Sequence, residues 1–87
     1  MTLGFACPCC HALTRSTLEH GTYEICPVCG WEDDDLQSSM PDFGGGANNE
    51  SLNEARANYK AIGAINTKSL RLVRPPSKDE IPKDLSS

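Results

Sequence analysis

Three observations predict a small α+β domain stabilised by a metal. Two C-x2-C pairs, Cys7/Cys10 and Cys26/Cys29, are separated by fifteen residues. The chain has only 87 residues, of which 38% are apolar and five are aromatic (Phe5, Tyr23, Trp31, Phe43 and Tyr59). One segment, residues 51 to about 62, carries the periodicity and both end signals of a helix. A chain this short buries a modest share of its surface, so a metal or a set of disulfides is an expected supplement to the core.

The cysteine spacing falls in the window of a four-thiolate zinc site. Zn2+ takes four soft ligands in a tetrahedron, and a two-residue gap lets one tight turn aim both sulfurs at a single ion. Pro8 and Pro27 follow the first cysteine of each pair and stiffen the turn, while Gly30 follows the last and can adopt the positive φ that closes it. One structural Zn2+ on Cys7, Cys10, Cys26 and Cys29 is therefore expected. Five cysteines leave one unpaired under any disulfide scheme. Residues 1–6 are too short for a signal peptide and no run approaches a membrane span, so reduced thiols in a cytoplasmic setting are the expectation.

Cys9 is the thiol a tetrahedron does not need. It reads as a small buried spacer, with two alternatives: a ligand in place of Cys10 through C-x-C, or a reactive thiol activated by the nearby ion. His11 and His20 are substitute ligands in principle and read more simply as exposed or turn residues.

Between the cysteine pairs, Ala12-Leu13-Thr14 and Tyr23-Glu24-Ile25 carry strand-like residues with a turn at His20-Gly21. This predicts a zinc-ribbon-like β-hairpin joining two cysteine knuckles, with Tyr23 and Ile25 on one face and Glu24 on the other. Trp31 then opens the run Glu32, Asp33, Asp34, Asp35. Trp31 suits a lid over the metal or hairpin, because small domains use large aromatics as core. The alternative makes Trp31 and the four acids a partner-binding surface, since Trp is enriched at binding hot spots. No calcium-loop spacing surrounds the acids.

Residues 36–50 read as a loop, broken by Pro41 and by Gly44, Gly45 and Gly46, that lays Phe43 across the metal module. No Lys follows the glycines at phosphate-loop spacing. Ser51 and Glu54 then form a capping box, and Leu52, Ala55, Tyr59 and Ile62 line one helix face. Gly63 ends the helix, whose apolar stripe packs on the hairpin. Residues 67–74 suit a short helix or a strand and are stopped by Pro75-Pro76. Together these predict a single domain over residues 1–76 with one main helix, followed by an extended, partly mobile polar tail over 77–87.

The chain resembles the small bacterial cysteine-rich proteins named for a CPCC motif. The matching stretches are Cys7-Pro8-Cys9-Cys10, residues 25–34 (ICPVCGWEDD), Gly45-Gly46-Ala47-Asn48, residues 51–59 (SLNEARANY) and Val73-Arg74-Pro75-Pro76. The resemblance implies a compact metal-binding module with an appended helix, in which Trp31, Asn48 and the helix share one structure. It carries no activity with it.

Charge bounds the function classes. Residues 1–50 hold one basic and eight acidic residues, a net of −7, whereas residues 51–87 hold seven basic and four acidic, a net of +3. The acidic half repels nucleic acid and attracts basic protein surfaces. Only Arg56, Lys60, Lys68, Arg71 and Arg74 could build a basic stripe, which makes a nucleic-acid-binding ribbon the weaker alternative. Disulfide-exchange C-x-x-C motifs sit at a helix N-terminus in a βαβ fold, which this chain does not supply; a redox-sensitive zinc protein is the third reading. A four-cysteine site leaves no open coordination position, and no Ser/His/Asp set or carboxylate pair is readable, so no enzymatic activity is expected. The sequence points to a zinc module that binds a basic protein, one version being an immunity or antitoxin-type inhibitor of a nuclease-like toxin.

Overall fold

The structure is a computed structural model, and it describes residues 4–17 and 21–81. Each C-P-x-C turn closes its own backbone ring, and the two rings are built alike at an offset of nineteen residues. In the first, the N–H of His11 donates to the carbonyl of Cys7 (2.8 Å) and that of Cys7 to the carbonyl of Ala12 (2.8 Å). In the second, Gly30 donates to Cys26 (2.9 Å) and Cys26 to Trp31 (2.9 Å). The residue after the second cysteine takes positive φ in both, +70° at His11 and +92° at Gly30.

Each turn also caps its own short antiparallel pair. β1 (Phe5–Ala6) runs against β2 (Leu13–Arg15), with Phe5 opposite Arg15 and Ala6 opposite Leu13, so Thr14 is left as a bulge. Around the second turn, Ile25 bridges Glu32, the N–H of Tyr23 donates to the Asp33 carbonyl (3.0 Å), and that of Asp33 to the Glu24 carbonyl (2.9 Å). This corrects the expected pairing of Ala12-Leu13-Thr14 with Tyr23-Glu24-Ile25. A tight turn pairs the segments on either side of it, and each knuckle is such a turn. Tyr23 and Ile25 are both exposed and Glu24 is half-buried, but Tyr23 has φ +59° and departs from strand geometry. Of the expected connecting turn, Gly21 takes φ +86° and His20 lies outside the described residues.

The two hairpins are joined by a buried ion pair. Arg15 Nη2 donates to Asp33 Oδ2 at 3.0 Å, and the same oxygen accepts the N–H and hydroxyl of Thr22 at 3.1 and 3.0 Å.

Residues 36–50 are not loop throughout. α1 (Asp35–Ser39) forms one helical turn, because Asp34 caps it by accepting the N–H of Gln37 at 3.1 Å. Its buried residue is Gln37, whose amide gathers the loop that follows. Gly46 crosses so close that a Cβ there would lie 2.7 Å from Asp34 Oδ2 and 2.9 Å from Gln37 Cδ. Phe43 is exposed and stands outside the buried core, which corrects its expected position over the metal module: the chain turns outward at Met40, where the N–H of Phe43 meets the Met40 carbonyl at 2.9 Å.

α2 (Leu52–Ile62) has the expected bounds and ends. Ser51 Oγ accepts the N–H of Glu54 (3.1 Å), Glu54 Oε1 accepts that of Ser51 (2.9 Å), and Gly63 closes the helix at φ +85°. Leu52 and Ala55 are buried and Tyr59 is half-buried against the core, but Ile62 is exposed. The left-handed turn at Gly63 sends the chain back over the second knuckle, so Ala64 and Ile65 fill the space that a longer helix face would have filled. The N–H of Ile65 donates to the Cys29 carbonyl at 2.9 Å.

Residues 67–74 resolve as a 3-10 helix, Thr67–Arg71, capped by Asn66, followed by extended chain whose Arg74 N–H donates to the Pro27 carbonyl at 3.1 Å. The tail from residue 77 opens with a 3-10 turn, Lys78–Glu80, which Arg74 pins by donating to both Glu80 carboxylate oxygens at 2.7 and 2.8 Å. Residues 82–87 of that tail lie outside the described residues.

Candidate metal centre

The two knuckles face one another and bring four sulfurs together. The Sγ atoms of Cys7, Cys10, Cys26 and Cys29 all lie within 4.8 Å of one another. Cys7 to Cys29 and Cys10 to Cys26 both measure 3.7 Å. A tetrahedron of thiolates about 2.3 Å from a central Zn2+ has edges of about 3.8 Å, so these cross-knuckle distances match the sulfur cage of a zinc ion. They are also far longer than a disulfide bond of about 2.05 Å, and all five cysteines are free thiols. Three of the four are buried and Cys10 is half-buried.

Backbone and side-chain donors converge on the sulfurs, as expected where sulfur carries negative charge. The N–H of Val28 points to Cys26 Sγ and that of Trp31 to Cys29 Sγ, both at 3.4 Å. The bulge at Thr14 brings its hydroxyl to 3.2 Å from Cys26 Sγ. Four sulfurs this close, three of them on buried residues, cannot all ionise without a cation between them. The thiols accordingly divide. Cys26 is held far below the ordinary thiol range, first by the hydrogen bond from Cys10, then by Cys29, Cys7 and, more weakly, Thr14. Cys7 is also lowered, chiefly by Cys10. Cys10 is pushed up, mainly through Cys26, and Cys29 mainly through Cys10.

Cys9 stands outside this cluster, buried in the core. The repeat explains why: Cys9 occupies in the first knuckle the position that buried Val28 occupies in the second. This is the spacer role. His11 is exposed at its positive-φ position and belongs to no ligand cluster among the described residues.

Of the five residues grouped as a partner surface, Trp31 and Asp33 are turned inward. Trp31 is 1% exposed and packs among the cysteines, Val28, Leu52 and Ala55, as the core reading requires. Asp33 is committed to Arg15 and Thr22. Glu32 and Asp34 are half-buried, and Asp35 is exposed. Alternation in the short pair 31–33 sends residues 31 and 33 to the interior, so neither is available as a contact. Asp34 is held below the ordinary carboxylate range, first by the N–H of Ala47 and then by that of Gln37.

The family resemblance implies that Asn48 shares one structure with Trp31 and α2; the bonds that tie the site together were not legible. Arg56 Nε donates to the Pro8 carbonyl (2.9 Å), tying α2 to the first knuckle. Asn48 Oδ1 accepts the Glu32 N–H (2.9 Å) and its Nδ2 donates to the Glu32 carbonyl (2.8 Å), tying the loop to the second hairpin. The repeated C-P-x-C unit was the available signal for paired hairpins; nothing local marks Gln37 or Asn48 as buried.

Four cysteines at ligand distance can hold a metal ion, and no helix among the described residues is long and apolar enough to cross a membrane. Comparison with curated proteins finds no match. The family model for Cysteine-rich CPCC matches residues 5–80, which takes in both knuckles, the Asn48 loop, α2 and the Arg74–Glu80 pair. The chain belongs to the cysteine-rich CPCC family.

Proposed function

We propose that this protein is a non-enzymatic zinc module of the cytoplasm that binds a basic protein partner. The observation that supports zinc is the 3.7 Å sulfur separation across the two knuckles, with all four sulfurs within 4.8 Å. A site whose four positions are all filled by cysteine is structural, because neither water nor substrate has a place to bind. The ion would hold the knuckles together and so position Trp31, α2 and the acidic loop. The cysteines themselves do no chemistry in this reading.

The charge distribution supports the partner's sign. Between Arg15 and Arg56 the chain has nine acidic residues and no Lys or Arg. Opposite charge would steer a basic partner onto this side and speed its association. The basic active-site cleft of a nuclease-like toxin is one such surface, which would make the protein an immunity or antitoxin-type inhibitor. The test is recovery of native complexes at low salt. A stoichiometric partner with a basic surface, released as salt rises, fits the reading; a protein that stays alone, or one retained on DNA or RNA columns in a salt-dependent way, contradicts it.

A further inference from the structure

The segment from α1 to Phe43 is built inside out. Gln37, a polar residue, is 0% exposed, whereas Leu36 and Met40 on the same turn are 49% and 51% exposed. Phe43 adds a third exposed large apolar side chain three residues on. Leu36 and Met40 are four apart on one helical turn, with the Met40 N–H on the Leu36 carbonyl at 2.8 Å, so they share a face. Met40, Pro41, Asp42 and Phe43 line a shallow, open concavity of about 370 Å³. Exposed apolar side chains are common singly, but a grouped set around a concavity beside a buried amide is what marks a contact surface.

This cleft is rigidly held. The Pro41 carbonyl accepts the Asn53 N–H of α2 at 2.9 Å, Asp42 Oδ1 accepts Asn53 Nδ2 at 2.8 Å, and the Phe43 carbonyl accepts Gln37 Nε2 at 3.1 Å. A surface fixed before contact loses little freedom on binding. Its lining carries one exposed acid, Asp42, and Asp35 is exposed one residue before Leu36 in the chain; Arg56 Nη1 also donates to Asn53, at 3.2 Å, and no Lys or Arg falls between Arg15 and Arg56 in the sequence.

Resting on the proposed basic partner, we infer that Leu36, Met40, Pro41 and Phe43 form its docking cleft. The occupant is a protein segment that inserts one aromatic or aliphatic side chain flanked by Lys or Arg. The apolar cleft supplies the anchor, and Asp35 and Asp42 select the flanking charge.

The experiment selects clones from a phage-displayed library of random twelve-residue peptides against the zinc-loaded protein, then measures each clone against M40S/F43S and D35N/D42N. Met40 is 51% and Phe43 38% exposed, so thermal unfolding checks that M40S/F43S is folded at the assay temperature; L36S, at 49% exposed, gives an independent check on the same face. The expected clones carry an apolar residue within two positions of Lys or Arg. They lose at least tenfold in affinity on M40S/F43S, lose about threefold on L36S, and weaken with salt less steeply on D35N/D42N. Basic clones that bind M40S/F43S as well as the wild type overturn the cleft and leave the basic-partner reading standing. Clones that need Met40 and Phe43 but carry no Lys or Arg overturn the charge selection. Enrichment of no clone overturns both.

Discussion

The side-chain amides of Gln37 and Asn48 meet in the interior, Asn48 Nδ2 donating to Gln37 Oε1 at 3.0 Å. Around that contact nearly every polar atom of the two side chains is used. Gln37 Oε1 also accepts the Asn48 N–H at 3.0 Å, and its Nε2 lies 3.0–3.1 Å from the carbonyls of Phe43, Asn48 and Glu50. Asn48 in turn pairs with both backbone groups of Glu32. The pair thus stands in for a strand that the loop is too glycine-rich to form, and it links α1, the loop and the second knuckle.

Removing either amide strands buried groups, and an unsatisfied buried donor or acceptor costs about 1–3 kcal/mol. Gln37→Ala and Asn48→Ala are each expected to destabilise the zinc-loaded protein by ~2–4 kcal/mol, since each leaves more than one group unpaired. Because the two share partners, the double variant should fall short of the sum by about 1–2 kcal/mol. Urea unfolding midpoints for the three proteins measure this.

The paired knuckles make opposite predictions at equivalent positions. His11 holds a left-handed conformation that costs an ordinary residue about 1–2 kcal/mol. His11→Gly should therefore raise the thermal midpoint. Gly30→Ala should lower it, because φ is +92° and the new Cβ would lie 3.0 Å from Ser69 Cβ. Thermal unfolding of both variants, zinc-loaded, reads the two signs directly.

Cys9 and Cys10 are adjacent and are expected to behave differently. Cys9→Val copies the residue that the second knuckle already carries at this place, so it should keep full metal content and change stability by less than about 1.5 kcal/mol. Cys10→Ser removes a sulfur of the cage and should lose metal. Metal content per chain after gel filtration separates the two; loss of metal from Cys9→Val would make Cys9 a ligand.

Arg74 holds the Glu80 carboxyl down at about 2, against an ordinary 4.5, with the Ser77 N–H assisting. A depressed carboxylate stabilises the folded form above its unfolded value and loses that contribution as pH falls through the folded value. The tie from Arg74 to the Lys78–Glu80 turn should thus be intact above pH 4.5 and be lost between 4.5 and about 2. Both side chains touch solvent, so the stabilisation is a surface effect. Carboxyl-carbon NMR titration of Glu80 should give a midpoint near 2, and Arg74→Gln should return it towards 4.5.

What was legible in the sequence follows from what is local. The four clustered cysteines are set by spacing within single turns, and α2 by the Ser51–Glu54 box and Gly63, all within a few residues of the feature they fix. The strand pairing was misread because Ala12–Thr14 and Tyr23–Ile25 are the most strand-like segments, while the ring closures of the knuckles pair each with the far side of its own turn. The helical turn α1 was hidden by the surrounding Pro and Gly residues, although Asp34 stands three before Gln37 as a cap should. Burial of Gln37, Asn48 and Asp33 depends on hydrogen-bond partners eleven or more residues away, acceptors for the two amides and the donors Arg15 and Thr22 for Asp33, and no periodicity carries that information. Ile62 kept the helical stripe in sequence but lies past the edge of a core this small.

The central claim is that the two knuckles form one zinc site and that this site holds the fold. Native mass spectrometry of the purified protein, before and after a strong zinc chelator, tests it most directly. One zinc per chain is expected in the compact form, and the metal-free form should shift to the high charge states of an unfolded chain, because structural zinc binding is folding free energy. A compact, low-charge chain that carries no metal would contradict it.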